Sequence, residues 1–131
     1  MVFHLTIHAH PEVNAFKKSV RDSVWRAVLE IPARGEIELL AACLMPDHLH
    51  LLVKPGEDNV LDWLNSWKSW TTRQAWRFGH LGPLWQPGMW DRTIRSEEDL
   101  MTVVRYILAN PVRAGLVESF DDWQFSYCAE M

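Results

Sequence analysis

Two histidines separated by one residue carry the sharpest chemical signal in the chain. His48 and His50 lie within the segment MPDHLHLLV, whose alternating apolar residues predict a β-strand. Residues two apart on a strand point to the same face, with Cα atoms roughly 6–7 Å apart. Two imidazoles placed in this way can bind one metal ion. For an isolated pair, the plainer alternative is two strand histidines that are covered by a helix or exposed to solvent.

A second signal lies further along the chain, in a segment that is predicted to be helical. Tyr106 and Asn110 are four residues apart, so their side chains share one helix face with Cβ atoms about 5–6 Å apart. Thr102 continues the same polar stripe one turn earlier. Taken alone, a helical tyrosine is most simply an amphipathic edge residue, and Asn110 is most simply a helix-end residue before a proline.

The two signals together indicate metal-assisted attack on a phosphodiester. A phenol is almost entirely protonated at neutral pH, so Tyr106 needs a base or a metal ion nearby to act as a nucleophile. A divalent ion on His48, His50 and Asn110 would keep open positions for a phosphate oxygen and orient the phosphate for in-line attack. Mixed nitrogen and oxygen ligands suit Mg²⁺ or Mn²⁺, and the two imidazoles favour Mn²⁺.

The elements that must position these residues follow from hydrophobic periodicity. Strands are predicted over 2–9, 36–44, 48–54 and 90–95, and helices over 14–29, 59–78 and from Ser96 to about Asn110. Asn14 is a candidate cap for the first helix, and Ser96 with Asp99 forms a capping box for the third. Pro111 is expected to end the third helix, because proline disfavours helical geometry at the preceding residue.

This order of elements, β-α-β-β-α-β-α, predicts an α+β fold with a ferredoxin-like (RRM-like) core. Its sheet is expected to be mostly antiparallel, with helices packed on it. The paired histidines would lie on a strand of that sheet, and Tyr106 would lie on the last long helix. Residues 32–35 are predicted to form a turn, residues 79–88 a loop and residues 123–127 a short last segment.

Composition narrows the class of protein. The chain has 131 residues, of which 48% are hydrophobic and 23% are charged, which predicts one globular domain over residues 1–131 and excludes a disordered or collagen-like chain. Two cysteines without C-x-x-C spacing argue against a structural zinc site or a disulfide framework. No apolar run approaches the roughly 20 residues that span a bilayer. We therefore expect a cytoplasmic protein without a membrane partner.

The charges are distributed unevenly along the chain. The formal net charge of −4 argues against a protein that coats DNA through bulk positive charge. The last 14 residues contain four acidic residues and no lysine or arginine, so they account for the whole net charge. Residues 63–117 hold seven basic and four acidic residues, a local charge of +3. The second half of the chain is therefore expected to present a modest basic face.

The chain resembles a known family in several segments. It is similar to the REP-associated tyrosine transposases, which belong to the single-tyrosine HUH transposases (insertion-sequence-200-like), in MPDHLHLLVKP, GPLWQPGMWDRTIRSEEDL, RYILANPVRAGLV and DWQFSY. The resemblance runs from Phe3 to Tyr127. It places the family's paired histidines on His48 and His50, and its nucleophile on Tyr106. The family's third metal ligand, an amide four residues after the tyrosine, falls on Asn110.

The resemblance implies cleavage of single-stranded DNA beside a hairpin or palindromic repeat. Cleavage in the family leaves a 5′-phosphotyrosine and a free 3′-hydroxyl and uses Mg²⁺ or Mn²⁺, and relatives occur as monomers and as homodimers. The acidic net charge and the tail without basic residues depart from the family pattern. These departures concern DNA binding and not the chemistry, and because all four site residues are present we expect an intact catalyst. Two alternatives stay open: a domesticated, catalytically silent protein that binds hairpin nucleic acid, and a phosphoesterase that uses the histidine pair alone.

Further residues are predicted to support the metal site or to bind DNA. Asp47 could orient the imidazole of His48 or hold a metal-bound water, although capping the hairpin turn is the simpler role. His4 would lie near the metal only if the first strand neighbours the third, and His8 at the end of that strand is expected to be exposed. DNA contacts are predicted for two exposed tryptophans and six arginines: Trp85, Trp90, Arg73, Arg77, Arg92, Arg95, Arg105 and Arg113.

Overall fold

Five strands and four helices are present in the computed structural model, which describes residues 1–57 and 59–130. The strands are β1 (Val2–His8), β2 (Ile37–Leu44), β3 (His48–Pro55), β4 (Trp90–Ile94) and β5 (Ser126–Cys128). The helices are α1 (Lys18–Leu29), α2 (Ile31–Arg34), α3 (Val60–Arg77) and α4 (Glu97–Arg113). No helix in the described ranges is both long and apolar enough to cross a membrane.

The strands form one sheet in the order β4-β1-β3-β2-β5, and each of its four pairings is antiparallel. This confirms the α+β class and the antiparallel sheet. Strands β1 and β3 lie at the centre, with Thr6 opposite His50 and His8 opposite His48. Because opposite residues of paired strands share a face, the polar residues of β1 lie beside the histidine pair of β3.

The two faces of the sheet are covered differently. Helices α1 and α3 pack on one face, over a cluster of buried residues that includes Leu5, Ile7, Leu49, Leu51 and Val53. Helix α4 packs on the other face, through Val103, Val104 and Ile107 against Cys43, Leu52 and Ile94. The strict alternation of β3 therefore sends its leucines and valine to the first face and its two histidines to the second.

Helix α4 continues beyond its predicted end. It passes through Pro111 and ends at Arg113, so the prediction of an end near Asn110 is wrong. Pro111 is buried, and the next turn is closed by a hydrogen bond from the Ala114 amide to the Asn110 carbonyl. Packing and this continued bonding outweigh the local preference of the residue before a proline.

Two other boundaries differ from the sequence-based expectation. Residues Ile31–Arg34 form α2 rather than a simple turn, and Gly35 ends the helix in the left-handed conformation with φ of +71°. Helix α1 begins at Lys18, not next to Asn14, which has a φ of +51° and is outside the helix. The predicted cap at Ser96 is confirmed, because its side-chain oxygen accepts from the Asp99 amide. Asn59 caps α3 in the same way by accepting from the Leu61 amide.

Candidate active site

A cleft of about 650 Å³ lies between α4 and the polar face of the sheet. The floor of the cleft is formed by β1 and β3, which contribute His4, Thr6, His8, His48 and His50. Helix α4 forms one wall with Thr102, Tyr106 and Asn110, and β4 forms the other with Trp90 and Arg92. The structure thus brings the two chemical signals of the sequence together within a single chain.

His48 is held by the residue immediately before it. Its Nδ1 lies 2.7 Å from the Asp47 Oδ1, and this contact fixes the protonated ring nitrogen as the donor to the carboxylate. The Nε2 faces α4 and lies 3.5 Å from the Nδ2 of Asn110. The ring of His8 stacks on the His48 ring, with centroids 5.3 Å apart. His48 is therefore oriented toward α4 from two sides.

His50 is held by two residues of the neighbouring strand β1. Its Nδ1 lies 3.0 Å from the Nε2 of His4 and 3.2 Å from the Oγ1 of Thr6. The tautomer that carries its proton on Nδ1 donates to one of these partners and keeps the lone pair on Nε2. The condition stated for His4 is met, because β1 and β3 are neighbours. Sequence analysis did not predict the contact of Thr6 with His50, although Thr6 lies two residues after His4 and therefore on the same face of β1.

Burial keeps the two central histidines neutral. It lowers the pKa of His50 to about 3, with further lowering by the charge of His48, and it lowers the pKa of His4 to about 4, assisted by Arg92. Both rings are therefore uncharged at neutral pH, and an uncharged imidazole has the lone pair that metal binding requires.

Tyr106, on α4, lies over the rings of His50 and His4. Its ring centroid is 6.2 Å from that of His50 and 6.3 Å from that of His4, and half of the residue is exposed. Asn110 lies one turn further along the same helix face. The guanidinium of Arg113 packs 4.0 Å above the Tyr106 ring, and it donates to the Asn110 Oδ1 over 3.3 Å. Sequence analysis did not predict these contacts, because it placed the end of the helix near Asn110 and therefore left Arg113 outside it.

The donor set fits a divalent cation. Both Nδ1 atoms of the histidine pair already have protein partners, which leaves the two Nε2 atoms, and Asn110 places its amide group 3.5 Å from the nearer of them. Two imidazoles with one amide leave coordination positions open on an ion such as Mg²⁺ or Mn²⁺. The ring of Tyr106 lies on the same side of the sheet as these groups.

The predicted DNA-contacting tryptophans behave differently. Trp90 is 54% exposed and lines the cleft, its ring edge-on to His4. The exposure predicted for Trp85 is wrong, because this residue is only 5% exposed and its indole donates to the Thr71 Oγ1 over 2.8 Å. The segment before β4 runs back along the end of β1, with a bridge between Ala9 and Trp85, and this turns the indole into the core.

The six predicted arginines are also separated by the fold. Arg92 lines the cleft and Arg113 contacts Tyr106. Arg95 and Arg105 are exposed outside the residues that line the cleft, and Arg73 and Arg77 lie on α3, on the opposite face of the sheet. Arg92 is therefore the one of the six that lines the cleft, and Arg113 borders the cleft through its contacts with Tyr106 and Asn110.

Comparison with known proteins identifies relatives. The chain matches the family described as "Transposase IS200 like" over residues 1–110. It is 30% identical over 102 residues to the REP-associated tyrosine transposase of Escherichia coli, covering 76% of this chain and 59% of the relative. A Haemophilus influenzae protein with the same name, provisionally given, is 33% identical over 102 residues, covering 68% of this chain and 57% of that protein. The chain thus spans less than two thirds of the length of these curated relatives.

Solved structures show the same fold. A REP-associated tyrosine transposase bound to a REP hairpin superimposes with a TM-score of 0.75 at 24% identity, covering 95% of this chain and 74% of that chain. A Deinococcus radiodurans R1 protein, provisionally described as a transposase, gives a TM-score of 0.61 at 23% identity, covering 82% and 88%. The resemblance seen in sequence is confirmed, and the match over residues 1–110 shows that the chain belongs to the IS200-like transposase family.

Proposed function

We propose that the chain cleaves and rejoins single-stranded DNA, with Tyr106 as the nucleophile. The observation that carries this proposal is the 6.2 Å separation of the Tyr106 and His50 rings within one cleft. Membership of a transposase family supports an enzymatic role. The REP hairpin in the structure of a relative supports DNA with hairpins or palindromic repeats as the partner.

His48, His50 and Asn110 are the residues that would hold Mg²⁺ or Mn²⁺. When bound, the ion would supply Lewis-acid polarisation of the scissile phosphate. The protein's part is to keep His50 neutral by burial and to fix both imidazoles through their Nδ1 atoms. Asp47 and His4 provide those Nδ1 contacts, which is the orienting role that metal-bound histidines commonly require.

The covalent step exchanges one phosphodiester for another. The Tyr106 hydroxyl loses its proton to solvent, and its oxygen forms a bond with phosphorus. The bond from phosphorus to the 3′ oxygen breaks, and that oxygen takes up a proton to become a free 3′-hydroxyl. The product is a 5′-phosphotyrosine, which a 3′-hydroxyl can attack in the reverse sense to rejoin the strand. No external energy source is needed, because a phosphodiester is present on both sides of the step.

The wall that faces Tyr106 is suited to hold the strand. Trp90 exposes its ring at the cleft, where a base can stack on it, and Arg92 is two residues further along the same strand face. Arg95 and Arg105 lie outside the cleft lining, so they would meet DNA that extends past the cleavage site. A hairpin stem that reached α3 would meet Arg73 and Arg77 there.

The direct test is formation of a covalent protein–DNA adduct. The chain would be incubated with single-stranded DNA that contains a hairpin, in the presence of Mn²⁺, and resolved on a denaturing gel. Tyr106→Phe should abolish the adduct, because it removes only the attacking oxygen. The matched control is Tyr127→Phe, since the other tyrosine of the chain lies on β5 at the far edge of the sheet. An adduct with Tyr106→Phe would show that the nucleophile is wrongly assigned.

The same assay separates the two alternatives. A domesticated, catalytically silent protein would bind the hairpin and form no adduct with any divalent metal. A phosphoesterase that uses the histidine pair alone would still cleave DNA after Tyr106→Phe. The presence of Tyr106, Asn110 and both histidines in one cleft supports the intact catalyst over either alternative.

A further inference from the structure

One guanidinium links the proposed nucleophile to the proposed amide ligand. Arg113 packs over the Tyr106 ring at 4.0 Å and donates to the Tyr106 carbonyl over 2.8 Å. The same NH2 group donates to the Asn110 Oδ1 over 3.3 Å. Tyr106, Asn110 and Arg113 are spaced at i, i+4 and i+7, so they share one face of α4 only because the helix continues past Pro111.

This contact fixes which end of the Asn110 amide meets His48. The oxygen is turned toward Arg113, and the nitrogen lies 3.5 Å from the His48 Nε2. An amide binds a hard cation through its oxygen, so the orientation that suits a metal is the opposite one. Turning the amide over would bring its NH2 group against the guanidinium, where two sets of donors would face each other. Arg113 therefore opposes the metal-binding orientation of Asn110.

We propose that Arg113 is a latch that keeps the Asn110 amide oxygen away from the metal site until a DNA phosphate takes over the guanidinium. This inference rests on the proposed function. A phosphate is a better acceptor for a guanidinium than an amide oxygen, because it is charged and can accept two parallel hydrogen bonds. Arg113 is exposed and its guanidinium packs on the ring of Tyr106, the residue that would attack the scissile phosphate.

The latch makes metal binding and DNA binding interdependent. A phosphate that draws Arg113 away frees the amide to turn, and a metal that binds the turned amide frees Arg113 for the phosphate. By linkage, each ligand must then strengthen the binding of the other by the same factor. The free protein would bind the metal weakly, and its site would be completed only when DNA is in the cleft.

Mn²⁺ affinity of the DNA-free protein is the first test, measured from the electron paramagnetic resonance signal of the free ion. Arg113→Met removes the donor and should tighten Mn²⁺ binding by about threefold to tenfold. Removing a positive charge also favours a cation, so the matched control is Arg92→Met. Arg92 lines the same cleft without a hydrogen bond to Asn110 among the described residues. The latch would be overturned if Arg113→Met raised Mn²⁺ affinity no more than Arg92→Met does, or if it lowered that affinity.

The result also separates this inference from the proposed function. If neither the native chain nor Arg113→Met binds Mn²⁺, with or without the hairpin DNA, or if His48→Ala binds it as well as the native chain does, the metal site itself is wrong and both proposals fail. If the native chain binds Mn²⁺ through His48 and Arg113→Met behaves like Arg92→Met, only the latch fails. Thermal melting of each variant verifies that it is folded.

DNA dependence is the second test, made on Tyr106→Phe so that no cleavage occurs. The hairpin oligonucleotide of the adduct assay should tighten Mn²⁺ binding, partly because DNA contributes a phosphate oxygen to the ion. This DNA-induced increase in Mn²⁺ affinity should be at least about three times as large in Tyr106→Phe as in the double variant that also carries Arg113→Met. Equal gains in the two proteins would contradict the proposed coupling.

Discussion

The two faces of the central sheet show how the same strands can serve a core and a reactive site. On the face covered by α1 and α3, β3 contributes Leu49, Leu51 and Val53, all of them fully buried. On the other face, alternate residues of the same strand are His48 and His50. Because successive side chains of a strand point to opposite faces, the apolar residues of β3 lie on one face of the sheet and its two imidazoles on the other.

The coverage of the two faces differs as much as their chemistry. Two long helices close the first face, whereas α4 covers the second face only in part and leaves a cleft of about 650 Å³ beside β1. This partial cover is sufficient to keep His50 and His4 neutral, and it still admits a ligand. The face under α1 and α3 is therefore a closed face, whereas the face that carries the cleft is an open face, which buries His50 and His4 enough to keep them neutral and still leaves room for a ligand.

Leu51→Ala should produce the largest change, and it tests the closed face. Leu51 has no exposed surface, so its truncation should lower the free energy of unfolding by about 2–5 kcal/mol. Urea denaturation followed by circular dichroism measures this value. The control is His48→Ala on the open face, for which a much smaller loss is expected. Similar losses for the two variants would refute the division into a structural face and a reactive face.

Trp90→Ala tests the open face. The exposed indole supplies a stacking surface, so its removal should weaken binding of single-stranded DNA by about 1–3 kcal/mol without lowering the melting temperature. Fluorescence anisotropy with a labelled hairpin oligonucleotide measures the change. Trp85→Ala is the converse control, because it should destabilise the fold through loss of a core indole. Unchanged affinity in Trp90→Ala would remove this residue from the DNA-binding surface.

Asp47→Ala tests the support of the metal site. Loss of the carboxylate frees the His48 Nδ1, so Mn²⁺ affinity should fall by about tenfold. Asp122→Ala provides a control of equal charge change from the acidic segment before β5. Isothermal titration of both variants with Mn²⁺ would settle the role of Asp47, and equal affinities would leave it as a turn residue only.

Arg92→Ala should have the smallest effect. A single contact from an exposed arginine to a phosphate contributes modestly, so DNA affinity should fall by less than about tenfold at moderate salt. The more specific expectation is that the slope of log affinity against log salt becomes shallower by about 1. Arg26→Ala on α1, behind the closed face, should leave both quantities unchanged. An unaltered slope in Arg92→Ala would exclude a phosphate contact.

Local alternation and helical periodicity were sufficient to predict much of the fold and the centre of the site. They placed His48 and His50 on one face of a strand and Tyr106 with Asn110 on one face of a helix, as the structure has them. These relations depend only on the geometry of a single element. The role of each of these residues in catalysis stays a prediction until the adduct assay is performed.

The parts that sequence did not predict depend on contacts between elements. Trp85 lies in a segment with three glycines and two prolines and resembles a loop residue, but pairing of this segment with β1 turns it into the core. Pro111 has a local preference against helix, but burial in tertiary packing overrides it. Arg113 gains its position beside Tyr106 from that continuation. Each of these outcomes requires knowledge of a neighbour that is distant in sequence.

The placement of β5 has an electrostatic consequence. This strand pairs with β2 at the edge of the sheet opposite β4, and the acidic stretch that precedes it is anchored by a hydrogen bond from the Trp123 indole to the Leu44 carbonyl. Asp121 and Asp122 of that stretch are thereby placed at one flank, whereas Arg92 and Arg95 lie on or next to the strand at the opposite flank. The arginines of that flank are accompanied by Asp91 on the strand and by Glu97, Glu98 and Asp99 directly after it, so a polyanion is attracted there only at the arginine side chains and is repelled by their acidic neighbours.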